Sequence, residues 1–336
     1  IVARSDKPLD DLRKKKISTM CSVPVDNIIS APDVNSIYHV PLNFEKDLLS
    51  NKILKSLDLR PKKKELDEWE SFTQKIDKAK RKVKIGIVGK YFSTGNFVLS
   101  DAYISVIEAI KHASYSYRFK PEIHWINSEE FEEDTEKLKQ LDELDGVIVP
   151  GGFGSRGIEG KILAIEYVRE NKIPYLGLCY GMQLAAVEFA RHKVGWLDAN
   201  TTEIDKSTPF PVIDIQKDQK EKVDKKNLGG TMRLGGYECE VQPKTLARKL
   251  YGKASVSERH RHRYEFNSEY RQTLEEHGMV ISGVNPETGL VEMIELADHP
   301  LFIGAQFHPE LQSRPLDPHP VFRGFVRAAS QRKRNK

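Results

Sequence analysis

Short apolar strands alternating with helical segments through the middle of this 336-residue chain imply an α/β fold. The expected form is an open, largely parallel sheet with helices on both faces, preceded by a fragment of a second α/β domain. Three features carry that expectation. Gly146-Val147-Ile148-Val149 and Pro174-Tyr175-Leu176-Gly177-Leu178 are apolar without alternation, as strands covered on both faces are. Between such runs lie stretches with helical spacing, above all Ile158 to Asn171. Glycine clusters follow the strands at Gly151-Gly152 and around Cys179, beyond the carboxyl ends where such sheets place their active sites.

Taken in order, residues 1–59 form one region, with Val25 to Ile29 reading as extended and Phe44 to Leu57 as a helix. It is too small to stand as a domain by itself. Residues 60–82 are a charged linker, Pro61-Lys62-Lys63-Lys64-Glu65 and Lys78 to Lys82, around an amphipathic helix anchored by Trp69 and Phe72. The main domain spans 83–332. Its strands are Val83 to Gly89, Glu122 to Ile126, Gly146 to Pro150 and Pro174 to Cys179, with helices at Asp101 to Tyr117 and Ile158 to Asn171. Beyond Thr208 the pattern is mixed strands and turns, closed by a helix from Pro320 to Arg332.

Composition excludes several classes. The formal charge of +4 arises from 53 basic against 49 acidic residues, a mixed surface that argues against nucleic-acid binding. The basic tail Arg332 to Lys336 reads as a solvated terminus. Three scattered cysteines, Cys21, Cys179 and Cys239, fit neither a disulfide framework nor a metal site, so a reducing compartment and no metal are expected. No apolar run approaches the ~20 residues of a membrane helix, and the start has no signal-peptide order, which makes the cytoplasm the expected location and a membrane partner unexpected. The opening Ile1-Val2-Ala3-Arg4 resembles a cut strand, and the chain reads as a fragment.

Gly177-Leu178-Cys179-Tyr180-Gly181-Met182-Gln183 is the sharpest chemical signal. Glycines two before and two after a nucleophile suit a strained strand-to-helix turn, and a thiol at a helix N-terminus is favoured as thiolate. A buried structural cysteine would read the same way. Phe307-His308-Pro309-Glu310 follows an apolar strand, and two side chains that far apart on extended chain point the same way, so Glu310 can orient His308 and leave its other nitrogen for a thiol proton. Pro150 to Gly157, with consecutive glycines, suits an oxyanion hole; it has neither the ending of a P-loop nor dinucleotide-loop spacing.

These motifs in this order resemble the class I glutamine amidotransferases. Arg259-His260-Arg261-His262-Arg263-Tyr264-Glu265, Gly229 to Gly235 and Gly151 to Gly160 are similar in particular to the CTP synthase family, as is Arg4-Ser5-Asp6 with Asp33 to Tyr38. The resemblance implies a Cys179–His308–Glu310 triad that hydrolyses glutamine through a cysteinyl thioester, without a cofactor for that step. It implies oxyanion and glutamine contacts at Gly152, Phe153, Tyr180, Gly181, Met182, Gln183, Glu203 and Arg263. It further implies GTP as an activator at a lid from Phe153 to Gly160, with Arg156 as a contact. In the first region it implies a UTP contact at Lys16 and adenine contacts at Pro32, Asp33 and Val34. Ammonia would pass to UTP activated by ATP and Mg in a synthetase domain absent from this chain, in an enzyme that assembles as a homotetramer. Tyr180 departs from the leucine usual in that family, and the same Cys-Tyr-Gly occurs in GMP synthetases. A GMP synthetase subunit and a non-enzymatic assembly module are the alternatives.

Overall fold

The computed structural model describes residues 1–61, 65–89, 103–152, 154–215 and 232–335. It divides into two compact units, Ile1–Lys78 and Ala79–Lys336.

In the first unit, strands β1 (Val2–Ser5) and β2 (Ile29–Pro32) pair in parallel, joined by helix α1 (Asp11–Cys21). Asp10 caps α1 by accepting from the Arg13 backbone N–H at 2.8 Å. Two local expectations are corrected here. Val25–Asn27 is a 3₁₀ turn, with extended chain only from Ile29. The single helix expected over Phe44 to Leu57 is two, α2 (Val40–Lys46) and α3 (Leu49–Ser56), because Leu48 adopts a left-handed φ of 55° that no continuous helix tolerates. Helix α4 (Asp67–Asp77) buries Phe72 edge-on against Tyr38, ring centroids 5.2 Å apart, and Trp69 donates its indole N–H to the Tyr38 carbonyl at 2.8 Å.

The second unit is built on β3 (Arg81–Gly89), α5 (Ile104–Ser116), β4 (Phe119–Asn127), α6 (Glu129–Glu133), β5 (Gly146–Val149), α7 (Ile158–Glu170), β6 (Tyr175–Leu178) and α8 (Tyr180–Phe189). Then follow β7 (Ala199–Thr201), β8 (Phe210–Ile215), β9 (Arg233–Val241), α9 (Leu246–Tyr251), β10 (Ser255–His262) and β11 (Tyr264–Phe266). The unit ends with α10 (Arg271–Glu276), β12 (Met279–Val284), β13 (Val291–Leu296), β14 (Phe302–Ala305) and α11 (Pro320–Asn335). Among the described residues the main sheet runs β10-β9-β12-β13-β14-β6-β5-β3-β4. The stretch from β14 to β4 is parallel, and β13, β12, β9 and β10 extend it antiparallel, so the parallel half holds the apolar strands and the mixed half the later ones. β5 and β6 are buried at every residue because helices cover both faces. On one face α7 and α8 bring Ile162, Ile165, Val168, Leu184 and Val187. On the other, α5 and α11 bring Val106, Ile110, Phe322 and Phe325. A smaller sheet, β11-β8-β7, lies in the same unit. Among the described residues no helix is long and apolar enough to cross a membrane.

Candidate active site

The site begins where β6 turns into α8. Cys179 sits between them with φ 50° and ψ −100°, a strained conformation for a residue with a side chain. Its neighbours show why the flanking residues are glycines. A Cβ on Gly181 would stand 2.0 Å from the Val149 carbonyl oxygen, and one on Gly177 would stand 2.7 Å from the Gly181 carbonyl carbon. The turn is held by the Cys179 N–H donating to the Ala305 carbonyl at 2.7 Å, which fixes the sulfur beside the end of β14.

His308 follows β14 by three residues, its backbone N–H donating to the Arg259 carbonyl of β10 at 2.8 Å. Its Nδ1 meets Glu310 Oε1 at 2.7 Å. The contact expected from strand alternation is made by another geometry: the strand ends at Ala305, and Pro309–Leu311 form a 3₁₀ turn that brings the carboxylate under the ring. Burial alone would push the imidazole down, but the Cys179 sulfur and the Glu310 carboxylate outweigh it and lift His308 to about 11. Nε2 is buried without a hydrogen bond of ordinary geometry among the described residues, and the sulfur is the partner it faces.

A cavity of about 510 Å³ opens over these groups, lined by Gly151, Gly152, Cys179, Tyr180, Gln183, Glu203, Met232, Arg261, His262, Arg263, Tyr264 and His308. Seven of the residues named from sequence therefore line one space: Gly152, Cys179, Tyr180, Gln183, Glu203, Arg263 and His308. Glu310 stands behind His308. Gly181 and Met182 are not among the lining residues: Gly181 packs on Val149, and Met182 is fully buried. Phe153 lies outside the described residues. Glu203 Oε1 accepts from the Gly154 N–H at 3.3 Å, tying the glycine loop to the cavity's acidic side. Arg156 points elsewhere, its guanidinium pairing with Glu129 at 2.6 Å. Lys16, on exposed α1, Pro32, at the end of β2, and Asp33 and Val34, just after it, belong to the first unit and are not among the lining residues.

Met232, Arg261, His262 and Tyr264 were not singled out as site residues by sequence. Period-two alternation could have found one of them, His262: along β10, His260 and His262 face inward and Arg259 and Arg261 outward. The inward residues join a buried network. Tyr264's carbonyl can only accept, so His262 donates from Nδ1 to it at 3.2 Å, and His260 Nδ1 donates to His262 Nε2 at 2.8 Å. Burial, then Arg233, keeps both rings neutral, with His262 lowered to about 3. Arg233 pairs with Glu292 at 2.6 Å and approaches Glu265 at 3.7 Å, yet burial still lifts these carboxylates to about 7 and about 8.

Among the described residues one trio could offer metal ligands, Glu166, Glu188 and His192, and it lies away from the cavity. Arg169 already donates to both Glu188 oxygens, at 2.8 to 3.1 Å, so an internal cation pairs with that carboxylate.

This geometry can be set beside known proteins. Residues 98–328 match the glutamine amidotransferase class-I family, and residues 1–59 match the CTP synthase N-terminus. A solved structure of the Trypanosoma brucei CTPS glutaminase domain with bound acivicin is 37% identical, covering 74% of this chain and 94% of its own, with a TM-score of 0.69. The chain belongs to the CTP synthase family. CTP synthases of Caldanaerobacter subterraneus and Sulfurisphaera tokodaii are 50% and 52% identical over 98% of this chain. The chain spans 59% and 60% of the length of those two relatives. In this CTP synthase family member, the matched amidotransferase segment contains the whole of the cavity lining.

Proposed function

We propose that this chain is the glutamine-hydrolysing part of a CTP synthase, with Cys179 as nucleophile, His308 as proton carrier and Glu310 as its orienter. The observation that carries the reading is the convergence of a strained cysteine and an imidazole raised by that cysteine at the edge of one cavity, with a carboxylate at 2.7 Å behind the imidazole. With the proton held on His308, the sulfur attacks the side-chain amide carbon of glutamine. Negative charge develops on the amide oxygen, where the backbone N–H groups of Gly152 and Tyr180 would stabilise it. His308 then protonates the leaving nitrogen, the C–N bond breaks, and ammonia departs from a γ-glutamyl thioester. Water, giving its proton to His308, attacks the thioester and releases glutamate. Glu203 suits the substrate ammonium and Arg263 its carboxylate.

In the intact protein the ammonia would aminate UTP, activated by ATP with Mg, in the part these residues do not include. GTP would activate through the loop after Gly152, where an anionic nucleotide could exchange with Glu129 for Arg156. Lys16, Pro32, Asp33 and Val34 would be partial nucleotide contacts. A cytoplasmic homotetramer is the expected working form.

Incubation with acivicin followed by peptide mass mapping tests the reading. Modification is expected at Cys179 and is expected to abolish glutamine hydrolysis, as Cys179→Ala should by itself. Turnover retained by Cys179→Ala would sink the assignment.

A further inference from the structure

Behind Cys179, on chain the triad does not use, lies Gln306, fully buried between the end of β14 and His308. Its amide nitrogen is 3.8 Å from the Cys179 sulfur. Which end of an amide faces a neighbour is usually ambiguous, but here a chain of contacts fixes it. Tyr264's carbonyl oxygen can only accept, so Gln183 must present its NH₂ there, at 2.8 Å. The second hydrogen of that same NH₂ reaches Gln306 Oε1 at 3.2 Å. Gln306 therefore turns its own NH₂ to the sulfur. His262 donates to the same Tyr264 carbonyl, and the Gln306 backbone N–H donates to the Glu292 carbonyl at 2.8 Å, so both ends of the chain are anchored.

We propose that Gln306 is a further catalytic residue, donating a hydrogen bond to the Cys179 sulfur that favours its anionic form, and that Gln183 is the positioning residue that aims it. The proposal rests on the amidotransferase reading for its substrate, but its core is the state of the sulfur. A donor stabilises thiolate over thiol, whereas a leucine at 306 offers nothing and a glutamate would set an acceptor or a negative charge against the sulfur. It also gives Gln183 a role other than touching glutamine: its amide hydrogens are already committed within the protein.

The test is the rate of iodoacetamide alkylation of Cys179 across a pH series, followed by intact mass in a Cys21→Ser background, since Cys21 is exposed and Cys239 buried. A charge-assisted bond at this length should make Gln306→Leu react roughly tenfold more slowly at neutral pH, with the profile displaced to higher pH. Gln306→Glu should be slower still, and Gln183→Leu should move in the same direction by less. In glutamine hydrolysis the loss should fall on kcat with KM little changed. Wild-type alkylation across the series in folded Gln306→Leu would overturn the proposal; should that variant not fold, the same result in the near-isosteric Gln306→Glu would do so. Failure of the amidotransferase reading would look different: alkylation would respond as described, while Cys179→Ala would still hydrolyse glutamine.

Discussion

His308 and the pair His260–His262 are neighbours, since the His308 backbone N–H donates to Arg259 of the strand that carries the pair, yet their environments drive them in opposite directions. His308 is lifted to about 11, while His262 falls to about 3 and His260 is lowered as well. Burial pushes all three the same way, so burial is not what distinguishes them. The difference lies in where the neighbouring carboxylate spends its charge. Glu310 gives its Oε1 to His308 at 2.7 Å. Glu292 stands 3.4 Å from His260 Nε2 but is bound more closely by Arg233. The charge on His308 is itself among the influences that keep the other two neutral. One region is thus poised for proton transfer and the other is a neutral scaffold whose hydrogen bonds end at the Tyr264 carbonyl.

Removing the cation of the scaffold is the most severe way to break this contrast. Arg233→Met would leave Glu292 and Glu265 buried without their counter-charge, and breaking a buried pair from one side costs about 3–5 kcal/mol. Urea unfolding at pH 8 should register that loss, and adding Glu292→Gln should recover part of it. A loss no larger than that of an exposed ion pair would mean that the carboxylates are already neutral and that Arg233 does not set the state of the scaffold.

A gentler change sharpens the comparison through pH. The folded value of His262 lies below its ordinary one, so its contribution to stability is present above pH 6.5 and is lost as pH falls through about 3. Glu292 and Glu265, raised by burial, act in the opposite sense: stability they confer when protonated is lost as pH rises from 4.5 through about 7 and about 8. Comparing wild type with His262→Gln isolates the histidine. Between pH 6.5 and 3 the wild type should lose stability more steeply, by up to about 1.4 kcal/mol per pH unit. Parallel stability curves would show that His262 is not held neutral by the fold.

Much of this was legible in sequence because the strongest signals were backbone requirements. Gly177 and Gly181 are demanded by contacts of 2.7 and 2.0 Å, and a pattern forced by sterics can be read without knowing the fold. The fully buried strands β5 and β6 were equally plain. What escaped depended on relations between distant strands. Nothing local marks Gln306, whose partners are Cys179 and Gln183, 127 and 123 residues away. The carboxylate of Glu310 was foreseen beside His308, but through strand alternation, when the 3₁₀ turn after Pro309 delivers it. The helix break at Leu48 was missed because apolar spacing persists across it while only the backbone angle changes.

The central claim is that Cys179, His308 and Glu310 act as one unit, and its most direct test is glutamine hydrolysis by His308→Ala, Glu310→Ala and the double variant. Loss of the proton carrier should cost on the order of 10²–10⁴ in rate. Loss of Glu310 should cost less, because only the orientation and charge of His308 are affected. If the two form one device, the double variant will be little worse than His308→Ala. If instead the two losses multiply, His308 and Glu310 work independently and the triad is wrong.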